Sequence, residues 1–425
     1  MRTYGRLLGK SVLLVAACVA VGFALLLAVF ALPTEPMVEN AVASADIFAK
    51  EEGYPTVNFL GGETMLDNFT DSIMLIQAAY REEGASLIDR TVNVYRPFGH
   101  GVSPVENFAQ YLENGKPEGE AGSNYGRYWH GYLVALKPLL SLFTYGQIRT
   151  INAFWVAGLT LAVAFLMRMR GLKRYILPFV LAMLLIDPFA ISMSLFYTSV
   201  YSVGMLAAIV FLWKRDWLCA RMERLALLFV LAGCATSYVD LMTYPLFSYG
   251  IPITLCLLNA QGGWKDGLKL IVVTGIAWCV GYGGMWAGKW ILGALLSGED
   301  LGVLETIQLR SSTALTEGMS ISYARLVARL LVRLRTPMFA LAAVYVVAAG
   351  VGFLRRSPGE KLAGLTWLPY VVVCLLPFAW FLCMQNHSFI HPWFVYRELA
   401  ICAFAGMCML AWLSRKQAAA PAPRA

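Results

Sequence analysis

Two groups of side chains in this 425-residue chain have types and spacings suited to chemistry. The first is "DNFTD", where Asp67 and Asp71 stand four positions apart. On a helix that spacing puts both carboxyls on one face. Two acids held together supply a general base and an orienting partner, because low-dielectric surroundings raise a carboxyl's pKa toward the working range. The plain alternative is an N-cap aspartate followed by a solvated one. The second group is "SYARLVARLLVRLR", residues 322–335, which spaces Arg325, Arg329 and Arg333 by four and adds Arg335. Guanidinium groups fork onto phosphate oxygens in a way ammonium groups do not. A helix with arginines along one side and leucine and valine along the other is expected to lie at a membrane surface and grip a lipid-linked phosphate or pyrophosphate. Attraction to anionic headgroups, or pairing with an acid-rich segment, are the alternatives.

A third stretch, "QNHSFIHPWFVYRE" (385–398), brings His387, His391, Tyr396 and Arg397 to the edge of an apolar run. An arginine there is costly and needs a partner, so substrate or phosphate contact competes with structural packing. His387 and His391 are spaced like zinc ligands but lack a third ligand and a nearby Glu, so no metal is assigned. "RYWHGYLVALKP" adds Arg127, Trp129, His130, Tyr132 and Lys137 as substrate contacts or interfacial belt residues. Asp187 and Asp240 stand at the ends of apolar runs, to touch substrate or to end a helix; the latter suits Asp187, which precedes Pro188. "NFT" and "NHS" match the N-glycosylation acceptor pattern, which matters only in a eukaryotic secretory pathway. The nine cysteines form no CxxC pair, so neither a disulfide framework nor a zinc site is expected.

The elements that must position these groups are membrane helices. The chain is 59% hydrophobic and 14% charged, against roughly 25% charged residues in a globular domain. Apolar runs at 11–32, 150–167, 175–192, 195–213, 225–240, 243–258, 270–292, 338–354, 363–383 and 396–414 predict an all-α polytopic membrane protein with about ten transmembrane helices. The first run, with its basic head, is expected to be a retained span rather than a cleaved signal. The net charge of +8 does not mark a nucleic-acid partner, because the basic residues sit in short loops. Those loops (167–174, 213–224, 264–269, 354–361, 414–417) alternate along the chain. With Arg2, Arg6 and Lys10 they predict that both termini are cytoplasmic. Residues 1–32 are then the N-terminus and first span, and 33–149 a long acid-rich outer loop containing amphipathic helices. A membrane bundle occupies 150–292, an outer loop with the arginine helix 293–337, the last spans 338–414 and a disordered cytoplasmic tail 415–425. Between 33 and 127 there are 15 acidic and six basic residues. Within this outer loop, 66–84 reads as an amphipathic helix starting near Asn68 or Thr70, and 128–143 as an interfacial or re-entrant helix. All four histidines (His100, His130, His387 and His391) fall in outer segments.

A first span, a long acidic outer loop with aspartates on a juxtamembrane helix, and about nine further spans together resemble the GT-C superfamily of membrane glycosyltransferases. The resemblance covers the layout of the whole chain through a loose motif. It implies transfer of a sugar from a polyprenyl-phosphate donor to a glycan, lipid or protein acceptor on the periplasmic face of a bacterial inner membrane, and it is similar in places to bacterial arabinofuranosyltransferases. It also implies an acidic base in the first outer loop, Asp71 or Asp67, with Asp46 as a rival because the acid usually follows the first helix closely. Arg325, Arg329, Arg333, Arg397 and His387 would hold the donor phosphate, and His130, Lys137, His391, Asp240 and Tyr396 would contact substrate. No cofactor is implied beyond the divalent cation that some members use. A large C-terminal outer domain, present in oligosaccharyltransferase-like members, has no counterpart in this sequence. A transporter or flippase of lipid-linked saccharides, an O-antigen-ligase-like transferase and a non-catalytic envelope scaffold remain as alternatives. The first would show midplane charges, broken helices and related halves, and the second a long outer loop late in the chain.

Overall fold

The computed structural model describes residues 2–59, 62–99, 102–116, 122–260, 262–297, 301–316, 319–334, 337–355 and 365–414. His100, Arg335 and the tail 415–425 lie outside the described residues. Apolar runs become helices because a bilayer offers no water to backbone N–H and C=O groups. The chain enters through α1 (Arg2–Phe30) and then builds a compact outer layer. This layer holds α2 (Glu35–Val42), α3 (Ala45–Glu51), the hairpin β1–β2 (Thr56–Phe59, Gly62–Met65), α4 (Asn68–Ala79), α5 (Leu87–Asn93), α6 (Phe108–Glu113) and α7 (Leu133–Leu140). A bundle follows: α8 (Tyr145–Met169), α9 (Ile176–Leu185), α10 (Pro188–Met193), α11 (Leu195–Cys219), α12 (Met222–Val239), α13 (Phe247–Asn259) and α14 (Trp264–Leu296). Next come α15 (Val303–Ser311), a small hairpin β3–β4 (Ala314–Thr316, Met319–Ser320) and α16 (Tyr323–Val332). The chain closes with α17 (Pro337–Leu354), α18 (Leu368–Cys383), α19 (Gln385–Ile390), α20 (Pro392–Val395) and α21 (Leu399–Leu413).

Among the described residues, seven helical stretches are long and apolar enough to cross a membrane: α1, α8, α11, α12, α14, α17 and the α20–α21 stretch. Helices α13 and α18 are apolar but shorter. The expected straight span at 175–192 is instead broken. Asp187 adopts a left-handed φ of 59° and its Oδ1 accepts from the Phe189 and Ala190 N–H groups, capping α10 with Pro188 in its first turn. A proline at that position fits a helix start and cannot continue α9.

Helices α12 and α14 touch backbone to backbone. A Cβ on Gly233 would meet the Trp278 carbonyl at 2.2 Å, and one on Gly281 the Val230 carbonyl at 2.1 Å. Small residues permit this approach where no hydrophobic effect drives helices together. The basic loops gather at one end of the bundle. Lys10 pairs with Glu223, Arg170 with Asp216 at 3.1 Å, Arg215 with Asn259 at 3.1 Å and Arg174 with Ser414 at 2.8 Å. The outer layer covers the other end.

Two expectations for that layer need correction. The helix expected to be amphipathic over 66–84 is α4, confined to 68–79, and it is buried on almost every side, from Asp71 through Ala79. Its polar residues face neighbouring elements rather than water, because α2, α6, α7 and α11 enclose it. It begins at Asn68, as expected, and its N-cap is Asp67. The interfacial helix expected over 128–143 is the short α7, whose Lys137 is buried.

Candidate functional site

The carboxyls of Asp67 and Asp71 have separate hydrogen-bond partners, although both residues meet the start of α11 and act on Tyr197. Asp67 caps α4: its Oδ1 accepts from the Thr70 N–H at 2.9 Å and its Oδ2 from Trp393 Nε1 at 3.1 Å. Its own N–H donates to Ser194 Oγ. Burial raises its pKa, opposed by the hydrogen bonds from Trp393 and Thr70 and by the Arg397 charge. Above it, Tyr54 is 43% exposed, packs edge-on against Trp393 and stacks on Phe69, so Asp67 lies under an aromatic rim that reaches the surface.

Asp71 has a different set of partners. Its Oδ2 accepts from the Tyr145 hydroxyl at 2.6 Å and the Leu195 N–H at 2.9 Å, and its Oδ1 from the Phe196 N–H at 3.0 Å. It therefore caps the start of α11, where unpaired N–H groups and the helix dipole favour an anion. Burial pushes its pKa up to about 6. Asp46, the rival, lies on an exposed surface 3.7 Å from Lys50.

Other predicted site residues are likewise committed to the framework. Lys137 Nζ donates to the Ala78 carbonyl at the end of α4, and burial lowers its pKa to about 8. The ring nitrogens of His130 lie 2.9 Å from the Tyr132 hydroxyl and 2.8 Å from the Tyr125 carbonyl, with φ at 55° and a pKa lowered by burial to about 3. The Tyr396 hydroxyl donates to the Ile186 carbonyl.

The sequence between α18 and α21 behaves differently. Arg397 is fully buried, with Nε donating to the Ile186 carbonyl at 3.1 Å and Nη1 to the Trp393 carbonyl at 2.7 Å; its guanidinium lies 4.0 Å from the centre of the Tyr197 ring. Its Nη2 has no hydrogen-bond partner among the described residues. His387 Nε2 donates to the Met242 carbonyl at 2.6 Å, and His391 Nε2 lies 3.5 Å from Arg310 Nη1; the Nδ1 of each ring is buried without a partner. Burial lowers both pKa values, His387 to about 3. Asp240 Oδ1 accepts from the Thr243 N–H and hydroxyl while its Oδ2 has no partner, and burial pushes its pKa up to about 6. A buried polar atom left so costs about 1–3 kcal/mol, so such a cluster marks a place where the fold is not optimised for itself.

The arginine helix lies over this same segment. Leu326 and Leu330 of α16 are buried against it, Arg329 sits 4.7 Å above the Phe389 ring, and Arg333 acts electrostatically on Tyr396. Arg325 and Arg329 are exposed. The alternative in which the stripe pairs with the acid-rich layer is not seen: among the described residues none of the three forms an ion pair. Two stretches that are about 60 residues apart are thus brought together, with Asp67 beside them through Trp393.

Sequence reasoning assigned no role to Glu398, Trp393, Arg310 or Lys289. Lys289 lies within an apolar run, where a charge is itself a signal; Glu398 followed Arg397 directly and carried the same signal. Nothing local marks Trp393 or Arg310. Of two cavities, one borders Leu195 beside Asp71 and the other borders Arg310 and Met384 at the histidine segment. One of about 560 Å³ is an apolar groove between α7, α8 and α11 that includes Leu195 and Trp155. The other, of about 340 Å³, is lined by Met242, Tyr282, Trp286, Trp380 and Arg310. Among the described residues no three His, Cys, Asp or Glu side chains gather as a metal ion would need. Compared with protein-family models, with curated proteins and with solved structures, the chain matches none.

Proposed function

We propose that this chain is an integral-membrane glycosyltransferase of the GT-C type, taking a sugar from a polyprenyl-phosphate donor to a glycan, lipid or protein acceptor. The observation that supports this reading is convergence: Asp67, the His387–Arg397 segment and the arginine helix meet at one end of the bundle, opposite the basic loops. In this reading ten crossings put both termini in the cytoplasm of a bacterial inner membrane, and the acid-rich layer and the site in the periplasm.

Asp67, its pKa raised by burial, takes the proton from the acceptor hydroxyl. The acceptor oxygen attacks the anomeric carbon as the bond to the donor phosphate breaks. Arg397, Arg329 and Arg333 hold the phosphate as its charge grows, with Arg325 at headgroup level and His387 and His391 beside the sugar. Asp71 positions the start of α11, which borders the 560 Å³ apolar groove that suits the polyprenyl chain.

One observation favours a second reading, a flippase of lipid-linked saccharides: α9 and α10 form a broken helix at Asp187, as many transporters show. A single assay separates the two. Membranes containing the protein are given a panel of radiolabelled polyprenyl-phosphate sugars. The transferase reading predicts labelled product bonded to a new acceptor, lost in Asp67→Asn. Labelled donor that crosses the bilayer unchanged, with no new product, would select the flippase.

A further inference from the structure

Two arginines without a carboxylate partner border one cavity. Arg127 lies in the stretch between α6 and α7, and Arg310 near the end of α15; both line the 340 Å³ cavity. Arg127 sits 4.9 Å from the centre of the Tyr125 ring and 5.7 Å from that of Tyr128, and its Nε is buried without a partner among the described residues. Arg310 Nη1 lies 3.5 Å from His391 Nε2. Among the described residues neither arginine forms an ion pair. Both act electrostatically on Tyr128. Aromatic faces attract a guanidinium, but its five N–H donors still need acceptors. Two cations on one cavity also repel each other until an anion joins them.

The rest of that cavity is apolar, walled by Tyr282, Trp286 and Trp290 of α14 and Trp380 of α18. Arg127 and Thr306 also line a second cavity of about 230 Å³, bordered by Asn124 and Glu305. A polar and an apolar compartment therefore meet at Arg127. Helix α15 leaves Leu304 75% and Leu309 55% exposed, as a helix does when it lies at the level of lipid headgroups. Tryptophans gather at the same level. Two carboxyls are near. Glu305 is exposed; Asp240 also acts on Tyr128 but lines neither cavity and is held by Thr243. The two linings together thus carry two positive charges and one negative.

We propose that the two cavities form one binding site for an anionic phospholipid of the surrounding bilayer. Its phosphate is held by Arg127 and Arg310, whose forked donors suit phosphate oxygens. The hydroxyls of its headgroup enter the polar compartment, where Glu305 accepts from them. Its glycerol and upper chain carbons pack on the tryptophans. The excess of one positive charge in the lining matches a lipid of net charge −1 and disfavours a zwitterionic one. Basic pockets between membrane helices hold lipid headgroups in this way. The site goes beyond the transferase reading, which places the donor phosphate on Arg397, Arg329 and Arg333, and it stands whether or not that reading does.

The test is native mass spectrometry of the full-length protein in mild detergent, titrated with phosphatidylglycerol or phosphatidylethanolamine. One tightly held phosphatidylglycerol is expected, bound about fivefold more tightly than phosphatidylethanolamine, the value of one charge at a membrane surface. Arg127→Gln with Arg310→Gln is expected to weaken it about thirtyfold, at about fivefold per arginine. That variant keeps Arg325, Arg329 and Arg333, so the loss belongs to this cavity and not to the arginine helix. Trp380→Ala, which removes only apolar wall, is expected to weaken both lipids alike. Should the double variant fail to fold, the choice between the two lipids on the unaltered protein still decides. Equal retention of the two lipids, or normal retention by the folded double variant, would overturn the site. Release of phosphatidylglycerol by soluble glycerol 3-phosphate would overturn it in favour of free phosphate esters, and release by an equal concentration of polyprenyl phosphate in favour of the sugar donor.

Discussion

Buried charge is used in two ways in this molecule. Around α4 and α5, each charged group closes a helix end or a pair: Asp71 caps α11, Lys137 caps the end of α4, Lys289 donates to Val92 at the end of α5, and Arg149 pairs with Glu51 at 2.9 Å while bonding Asn68. Around the 240–246 turn and the 384–398 segment, each group is only half engaged. Burial and a shifted pKa are common to both regions, since Asp71 and Asp240 are both pushed up to about 6. What differs is which atoms go without a partner: in the first region Arg90 Nε, Asn93 Oδ1 and Arg149 Nε, none of them on a carboxyl or imidazole, and in the second one atom on each of Asp240, His387, His391, Arg397 and Glu398. A perturbed carboxyl is therefore a weak sign of function, and an unpartnered atom on a buried, anchored side chain is a stronger one.

The comparison breaks most visibly at Asp71. Asp71→Ala strands two N–H groups of α11 and the Tyr145 hydroxyl, at about 1–3 kcal/mol each. The expected result is a fall in stability of several kcal/mol, read as early melting in detergent and little folded protein; a normal melting curve would contradict the framework role. Lys137 offers a smaller effect with a defined pH signature. Its folded pKa of about 8 lies below the ordinary 10.5, so the unfolded chain keeps a proton that the folded chain has released. Stability should therefore climb between pH 8 and 10.5, by up to about 1.4 kcal/mol per unit, and Lys137→Met should flatten that climb in a melting series.

The half-engaged region should respond through kinetics instead. Arg329→Ala with Arg333→Ala is expected to raise the donor KM about tenfold, or about 1.4 kcal/mol, with little change in melting. Arg325→Ala, at an exposed position, should change KM by less than about twofold, within the ±0.5 kcal/mol usual for surface substitutions. A loss at Arg325 as large as at the other two would recast α16 as a general headgroup anchor.

Much of this was legible in the chain. The apolar runs located the helices, and the alternating basic loops anticipated the end at which Lys10, Arg170 and Arg174 find partners. The break at Asp187 is also visible, because proline cannot continue a helix, although the apolar pattern places it at the end of a span and not inside one. What could not be read is tertiary. Asn68, Asp71 and Gln77 look like the solvated face of an amphipathic helix, and only enclosure by later helices buries them. Glu398 acquires meaning from Leu246, 152 positions earlier, and Trp393 from Asp67, 326 positions earlier. No local pattern encodes such pairs.

The most direct measurement compares sugar transfer by Asp67→Asn and Asp71→Asn, each normalised to folded protein by its melting curve. Removing a general base costs about 10²–10⁴ in rate. The account predicts a loss of that size per folded molecule for Asp67→Asn, beyond the stability lost with one of its two hydrogen bonds, while Asp71→Asn lowers stability but keeps near-normal turnover per folded molecule. Full turnover by Asp67→Asn, or a stable and inactive Asp71→Asn, would contradict it.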